Sequence, residues 1–155
     1  MDTLADEYAD REVGGIFLYT NEAHPGEILP HHTSMEQKAA QAEKLREVYG
    51  VRRPILLDEL EGACHRRYGS MPNMTWIFDR RGIVLYKSDW SDAGSVKEQL
   101  DLLMGLGERR RAGQRISPYR VERMEYREID RDGFYKGLEL AGPKAVEEFR
   151  NEFGE

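Results

Sequence analysis

The chain has 155 residues, 34% of them charged and 39% hydrophobic, with 23 Lys+Arg against 29 Asp+Glu and a formal net charge of −6. That length holds one domain with a real core plus an appendage; an acidic chain without a broad basic face is a poor binder of phosphate backbones, and no apolar run approaches the ~20 residues that span a bilayer. A single cysteine, Cys64, excludes an internal disulfide and a two-thiol zinc site, and the acidic first ten residues are the opposite of a secretory leader, so a cytoplasmic protein is expected.

In chain order, Gly14 to Thr20 is a short, nearly continuous apolar run, as in a strand buried on both faces of a parallel sheet. Residues 21–33 read as loop, punctuated by Pro25, Gly26 and Pro30. Two overlapping capping boxes follow, Thr33 with Glu36 and Ser34 with Gln37. They open a helix with Met35, Ala39, Ala42, Leu45 and Val48 at helical spacing and Gly50 as its stop. Pro54 leads into a second strand, Ile55 to Leu57, and Glu59 to Tyr68 reads as a short helix with Leu60, Cys64 and Tyr68 on one stripe.

Thr75 to Phe78 and Ile83 to Lys87 are β-type runs joined by Asp79-Arg80-Arg81-Gly82, a hairpin signal. Ser95, with Glu98 three residues on, is expected to cap a helix whose stripe is Val96, Leu100, Leu103 and Met104. Alternating helices and strands predict an α/β architecture with a mostly parallel sheet. Beyond Gly105 strand signals cease; helices are expected at 107–115, 118–140 and 143–153, with Pro118 and Pro143 as starts. The expected division is a domain at 1–104 and a helical C-terminal extension at 105–155. The basic run Arg109-Arg110-Arg111 belongs on a solvated helix end.

Local motifs narrow the class. Phe17-Leu18-Tyr19-Thr20-Asn21-Glu22-Ala23-His24-Pro25 resembles the strand and "EAH" signature of the iodothyronine deiodinase family and its bacterial redoxin relatives. His32, in the pair His31-His32, resembles that family's second histidine. Met71-Pro72-Asn73 with Met74 to Phe78 resembles the proline-containing loop that leads into the hairpin, and Gly82 to Lys87 continues the match. The resemblance covers residues 4–104 and implies a thioredoxin-like fold. Family members place a strand and a loop bearing cysteine or selenocysteine, then a long helix, before this block; residues 1–11 match only the tail of that helix.

The resemblance therefore implies an N-terminally incomplete thioredoxin-like domain of a redoxin-type oxidoreductase. Such an enzyme reduces a disulfide, peroxide or carbon–halogen bond through a thiol or selenol, needs no cofactor or metal, and takes a small-molecule or thiol substrate. The nucleophile is expected upstream of this chain, which would then be inactive as it stands. Glu22, His24 and His32 take the proton-handling roles, and Met71, Pro72 and Asn73 the substrate-facing loop, with Pro72 or Asn73 at the position of the fold's often cis proline. From residue types alone, Glu22 and His24 stand at the end of a parallel strand, where α/β sheets place ligands; the bland alternative is a loop histidine making structural hydrogen bonds.

Cys64 shares an apolar stripe and reads as a core residue, although His65, Arg66 and Arg67 are of the kind that activate a thiol. The segment Glu128 to Glu139 imitates a calcium loop, with acids at 128, 130, 132 and 139 and Gly133, but reads as a charged helix with a turn. A sheet lacking its centre is expected to close the Ile16 strand onto the Thr75 strand or to be completed by a second copy, hence a homo-oligomer. The alternative to an enzyme is a non-catalytic thioredoxin-fold module for binding or self-association.

Overall fold

A computed structural model describes residues 1–119 and 121–154. The molecule is mixed α/β. Its elements are α1 (Asp2–Ala9), β1 (Phe17–Tyr19), α2 (Met35–Tyr49), β2 (Ile55–Leu57), α3 (Ala63–Tyr68), β3 (Thr75–Phe78), β4 (Val84–Ser88), α4 (Ala93–Arg111), α5 (Arg131–Ala141) and α6 (Pro143–Phe153). They fall into two compact units, Met1–Gly14 with Asn73–Tyr126 and Gly15–Pro72 with Arg127–Glu155. The division expected at 104/105 coincides with none of the three chain boundaries between these units, and the last two helices fall in the same unit as β1, α2, β2 and α3.

In the first unit, α1 places Leu4 and Tyr8 one turn apart, and α4 places Val96 and Leu100 likewise. These four form a buried cluster, flanked by Val13, Ile77, Tyr86 and Met104. Burying each large side chain contributes roughly 1.5–3 kcal/mol. Tyr8 is fully buried, and its hydroxyl donates to Asp101 at 2.5 Å while accepting from Lys97 Nζ at 3.1 Å. Asp92, not Ser95, caps α4: its carboxylate accepts from the Ser95 N–H at 2.7 Å. The helix runs unbroken to Arg111, absorbing the start of the segment expected at 107–115.

Strands β3 and β4 form the expected antiparallel hairpin, with a register irregularity at Ile77/Phe78. Asp79 holds its turn, accepting from the N–H groups of Arg81 and Ile83, both at 2.9 Å. The helix expected over 118–140 is confined to 131–141; 114–119 and 121–130 carry no regular structure, and Arg120 lies outside the described residues. Tyr119, Met124 and Tyr126 are all at least 80% exposed, and apolar side chains that find no surface to pack on do not sustain a helix. Polar groups pin it instead: Arg123 meets Glu98 at 3.5 Å and also Glu125, which accepts from the Ser95 hydroxyl at 2.7 Å.

In the second unit β1 pairs in parallel with β2, Phe17 opposite Ile55 and Tyr19 opposite Leu57. Each sheet is two-stranded, β1–β2 and β3–β4. Among the described residues the strands thus form two small sheets in place of the single mostly parallel sheet expected. The β1 run is not buried on both faces either: Ile16 is 59% exposed and only Tyr19 is buried. Ser34 caps α2 by accepting from the Gln37 N–H at 3.2 Å, and the Gln37 side chain answers by accepting from the Thr33 N–H at 2.8 Å. Gly50 ends the helix in the left-handed region, φ 62°.

The buried face of α2 is Lys38, Gln41 and Ala42, rotated from the expected stripe; Met35 and Val48 are exposed. The residues from Glu59 to Gly62 are turn, not helix, so Leu60 leaves the stripe it was expected to share with Cys64 and Tyr68. Among the described residues no helix is long and apolar enough to cross a membrane.

Candidate functional site

Strand β1 ends at Tyr19, and the chain then enters the loop 21–33 that leads to α2. At that strand end the buried Tyr19 hydroxyl donates to the Glu22 carboxylate and lies 3.3 Å from His32 Nε2. The two rings meet edge-on, centroids 5.3 Å apart. Glu22 and His32, two of the expected proton-handling residues, are thus joined through a third group. Burial, with Glu22 accepting the proton and repelling a phenolate, pushes the Tyr19 pKa far up. Burial lowers the His32 pKa; Gln41 and Glu22 partly offset this, while Lys38 and His31 add to it.

His24 goes elsewhere. Its imidazole stands edge-on to Phe134 of α5 and to Phe149 of α6, both at 5.5 Å, and among the described residues it makes no hydrogen bond to Glu22 or His32. Burial in that aromatic setting lowers its pKa. The structure therefore divides the expected trio, Glu22 and His32 on the tyrosine and His24 in a cage.

The cage belongs to a docking arrangement. Ile28 and Leu29 N–H groups both donate to the Ala141 carbonyl, at 2.9 and 3.2 Å. The Glu27 carboxylate accepts from the Lys144 N–H at 3.1 Å, where it also complements the positive end of α6. Gly26 permits this approach, since a Cβ there would lie 2.7 Å from the Ala141 carbonyl carbon. Gly142, at φ 126°, turns the chain between α5 and α6, and a Cβ on it would strike Glu27.

Between the loop, α2 and α5 lies a cleft of about 350 Å³. Leu29, Leu45, Val48 and Leu138 give it apolar walls; Glu22, His24, Gln41 and Lys44 are its polar lining. Gln41 is 8% exposed; its Nε2 donates to the Pro30 carbonyl at 3.2 Å, but its Oε1 is buried with no hydrogen-bond partner. Gln41 favours a protonated His32 ring, yet Oε1 has no aligned donor in this geometry. Lys44 is exposed at the mouth.

Behind the strand ends, Asp58 is buried at the end of β2 and accepts from the N–H groups of Glu59, Cys64 and His65 at 2.8–3.0 Å. Burial raises its pKa, but those three donors and Lys38 outweigh burial and hold the carboxyl below its ordinary range. Lys38 is 1% exposed and donates to the Glu59 carbonyl at 3.3 Å. This anchor fixes α3, and burial together with the Asp58 charge pushes the Cys64 thiol up. A thiol so placed is mostly protonated at neutral pH, the opposite of an activated nucleophile. Cys64 is only partly buried.

Met71 and Pro72 are exposed and lie outside the cleft lining; the Met71 carbonyl is 3.0 Å from His65 Nε2, and Asn73 begins the other unit's chain segment. Every described peptide bond is trans, that before Pro72 included. Asp130 caps α5 by accepting from the Gly133 N–H at 2.8 Å, so positions 131–139 of the calcium-like pattern lie on a helix.

Tyr19, Gln41, Phe134 and Phe149 were not legible as site residues. The signal for Tyr19 was a phenol three residues before Glu22 at a strand end; the other three announce themselves only through tertiary packing. No protein-family model, curated protein or solved structure matches this chain.

Proposed function

We propose that the chain is the proton-handling and substrate-holding part of a redoxin-type oxidoreductase with a thioredoxin-like fold, its thiol or selenol nucleophile supplied by sequence upstream. One observation carries the reading: the Tyr19 phenol held between Glu22 and His32 at the C-terminal end of a parallel strand. Thiol or selenol chemistry on a disulfide or peroxide expels a thiolate or hydroxide that must gain a proton. His32, kept neutral near pH 7 by burial, takes up the proton that the attacking thiol or selenol gives up and, as imidazolium, returns it to the expelled thiolate or hydroxide; the Tyr19 oxygen and the Glu22 carboxylate beside it stabilise the imidazolium between the two steps.

The test is genetic and kinetic. In-frame DNA upstream of Met1 should encode a strand and a Cys codon or UGA. The complete product should reduce peroxide or disulfide at the expense of a thiol, with Tyr19→Phe lowering kcat on the order of 100-fold. An upstream in-frame stop other than UGA, with no such strand, refutes the reading.

A second reading has its own support. The cleft beside the cluster is of the size and character of a small-molecule site, which suits a non-catalytic module as well. Under that reading the chain binds a ligand and Tyr19→Phe alters no turnover.

A further inference from the structure

From the cleft lining we infer a binding site for a small amphipathic anion, its apolar body between α2 and α5 and its carboxylate head at Lys44. The inference rests on the small-molecule reading of the cleft, not on redox chemistry, and adds the charge of the ligand.

The walls set the body. The cleft lies wholly within the second unit, and Leu29, Leu45, Val48 and Leu138 surround about 350 Å³, room for a short alkyl or aryl group. Lys44 and Val48 are four residues apart on α2, so the cation and an apolar wall residue are neighbours on one helix face.

The head follows from which polar groups of the lining already have partners. Glu22 accepts from the Tyr19 hydroxyl. Gln41 donates through Nε2 to the Pro30 carbonyl, and its Oε1 is closed to solvent and acts on the His32 ring. Lys44, Tyr49 and His24 remain: all three are exposed, and among the described residues none of them makes a hydrogen bond or an ion pair. An ammonium has three donors and no acceptor, so the charge still unspent in the lining is positive. Glu22 keeps its own charge, but it and Gln41 both act on His32, and Lys44 lies about 5 Å further along the helix axis than Gln41. An anionic head therefore gains Lys44 at the mouth. A neutral head gains nothing from that charge, and an ammonium head is repelled by it.

The experiment is a nuclear magnetic resonance titration of the whole chain at pH 7.5 with hexanoate, hexanol and hexylammonium, in low and high salt, repeated on Lys44→Gln and Lys44→Glu. Both substitutions put a good helix former at an exposed helical position, and circular dichroism checks the fold. Hexanoate should bind about fivefold tighter than hexanol, the reach of an exposed ion pair, with hexylammonium weakest and the shifts centred on Leu45, Val48 and Leu138. Salt should shrink the preference for hexanoate. Lys44→Gln should bring hexanoate down to the level of hexanol and leave hexanol unchanged, and Lys44→Glu should place hexylammonium ahead of hexanoate. Hexanoate binding no tighter than hexanol, or undiminished in folded Lys44→Gln, overturns the assignment of an anion while the small-molecule reading stands. No binding of any probe up to its solubility limit, or shifts centred away from the cleft, overturns both.

Discussion

Replacing Gly26 by alanine isolates the docking of α5–α6 onto the 21–33 loop. Gly26 is not among the glycines of positive φ, so the backbone accepts alanine and the effect is steric. The new Cβ would press on the Ala141 carbonyl, 2.7 Å from its carbon, and lie 3.2 Å from Ala145 Cβ. A backbone carbonyl does not rotate away as a side chain does; the loop must lift instead. Lifting weakens the two bonds from Ile28 and Leu29 to Ala141, worth about 0.5–1.5 kcal/mol each, and adds about 1–3 kcal/mol of overpacking. The reduced entropy of the unfolded chain returns only about 0.4–1 kcal/mol. Gly26→Ala should therefore cost about 2–4 kcal/mol, a sizeable share of the ~5–15 kcal/mol of a typical domain. Urea unfolding should show a lower midpoint, and hydrogen exchange should quicken across 131–153. The control is Gly137→Ala: a Cβ there meets only Tyr49 Oη at 3.6 Å, and the helical site should gain about 0.5–1 kcal/mol. A Gly26→Ala loss below about 0.5 kcal/mol, or the same change in both variants, refutes the docking account.

Three further outcomes follow from the same coordinates. His24 and His32 both have lowered pKa values, so acidification from about pH 7 through the ordinary histidine pKa of about 6.5 charges the unfolded chain first and stability must fall; His24→Phe should flatten that fall in pH-dependent urea midpoints, and an unchanged profile contradicts it. The thiol held up by burial and Asp58 should react with iodoacetamide more slowly than free cysteine at pH 7.5, and any disulfide or peroxide turnover of this chain that vanishes in Cys64→Ser refutes the reading of Cys64 as structural. With two two-stranded sheets and exposed apolar residues such as Ile16 and Leu56, the chain should self-associate at micromolar concentration by sedimentation; a clean monomer contradicts this.

Local chemistry was legible where it is local. Ser34 opens α2 with its side-chain oxygen and Gly50 closes it with a left-handed backbone, Asp79 to Gly82 makes the hairpin turn, and Pro143 opens α6. The failures share a different cause. Helix periodicity favoured Met35, Ala39, Ala42, Leu45 and Val48 as the inward face of α2; Ala42 is buried as expected, but Lys38 and Gln41 turn inward with it while Met35 and Val48 are exposed. Lys38 is drawn in by Asp58 and the Glu59 carbonyl, and Gln41 by the Pro30 carbonyl, partners that no spacing within α2 reveals. The long helix expected over 118–140 failed because a helical pattern needs a surface to pack on, and most of 118–130 has none. At the site, Glu22 and His32 were legible as residues; Tyr19, which joins them, was read as part of an apolar strand.

The segment Glu22 to Leu29 resolves the tension between a catalytic and a structural meaning for its motif, because the two meanings fall on different residues. Glu22 turns back to Tyr19 and His32, a polar arrangement that spends burial on groups able to carry protons. Gly26, Glu27, Ile28 and Leu29 fasten α5 and α6 by sterics, charge and backbone bonds. His24 sits with the second set by contact, edge-on to Phe134 and Phe149, and with the first by position, since it shares the cleft lining with Glu22 and Gln41. The last two helices are then more than an appendage. Phe134, Gly137, Leu138 and Ala141 form one wall of the cleft, and the loop that anchors them is the loop that carries Glu22. Anything that loosens α5–α6 must loosen the cleft, whereas the hydrogen bonds of the Tyr19 hydroxyl, made within residues 19–32, have no partner on either helix. Binding in the cleft and proton handling at Tyr19 are therefore separable by mutation even though one loop serves both.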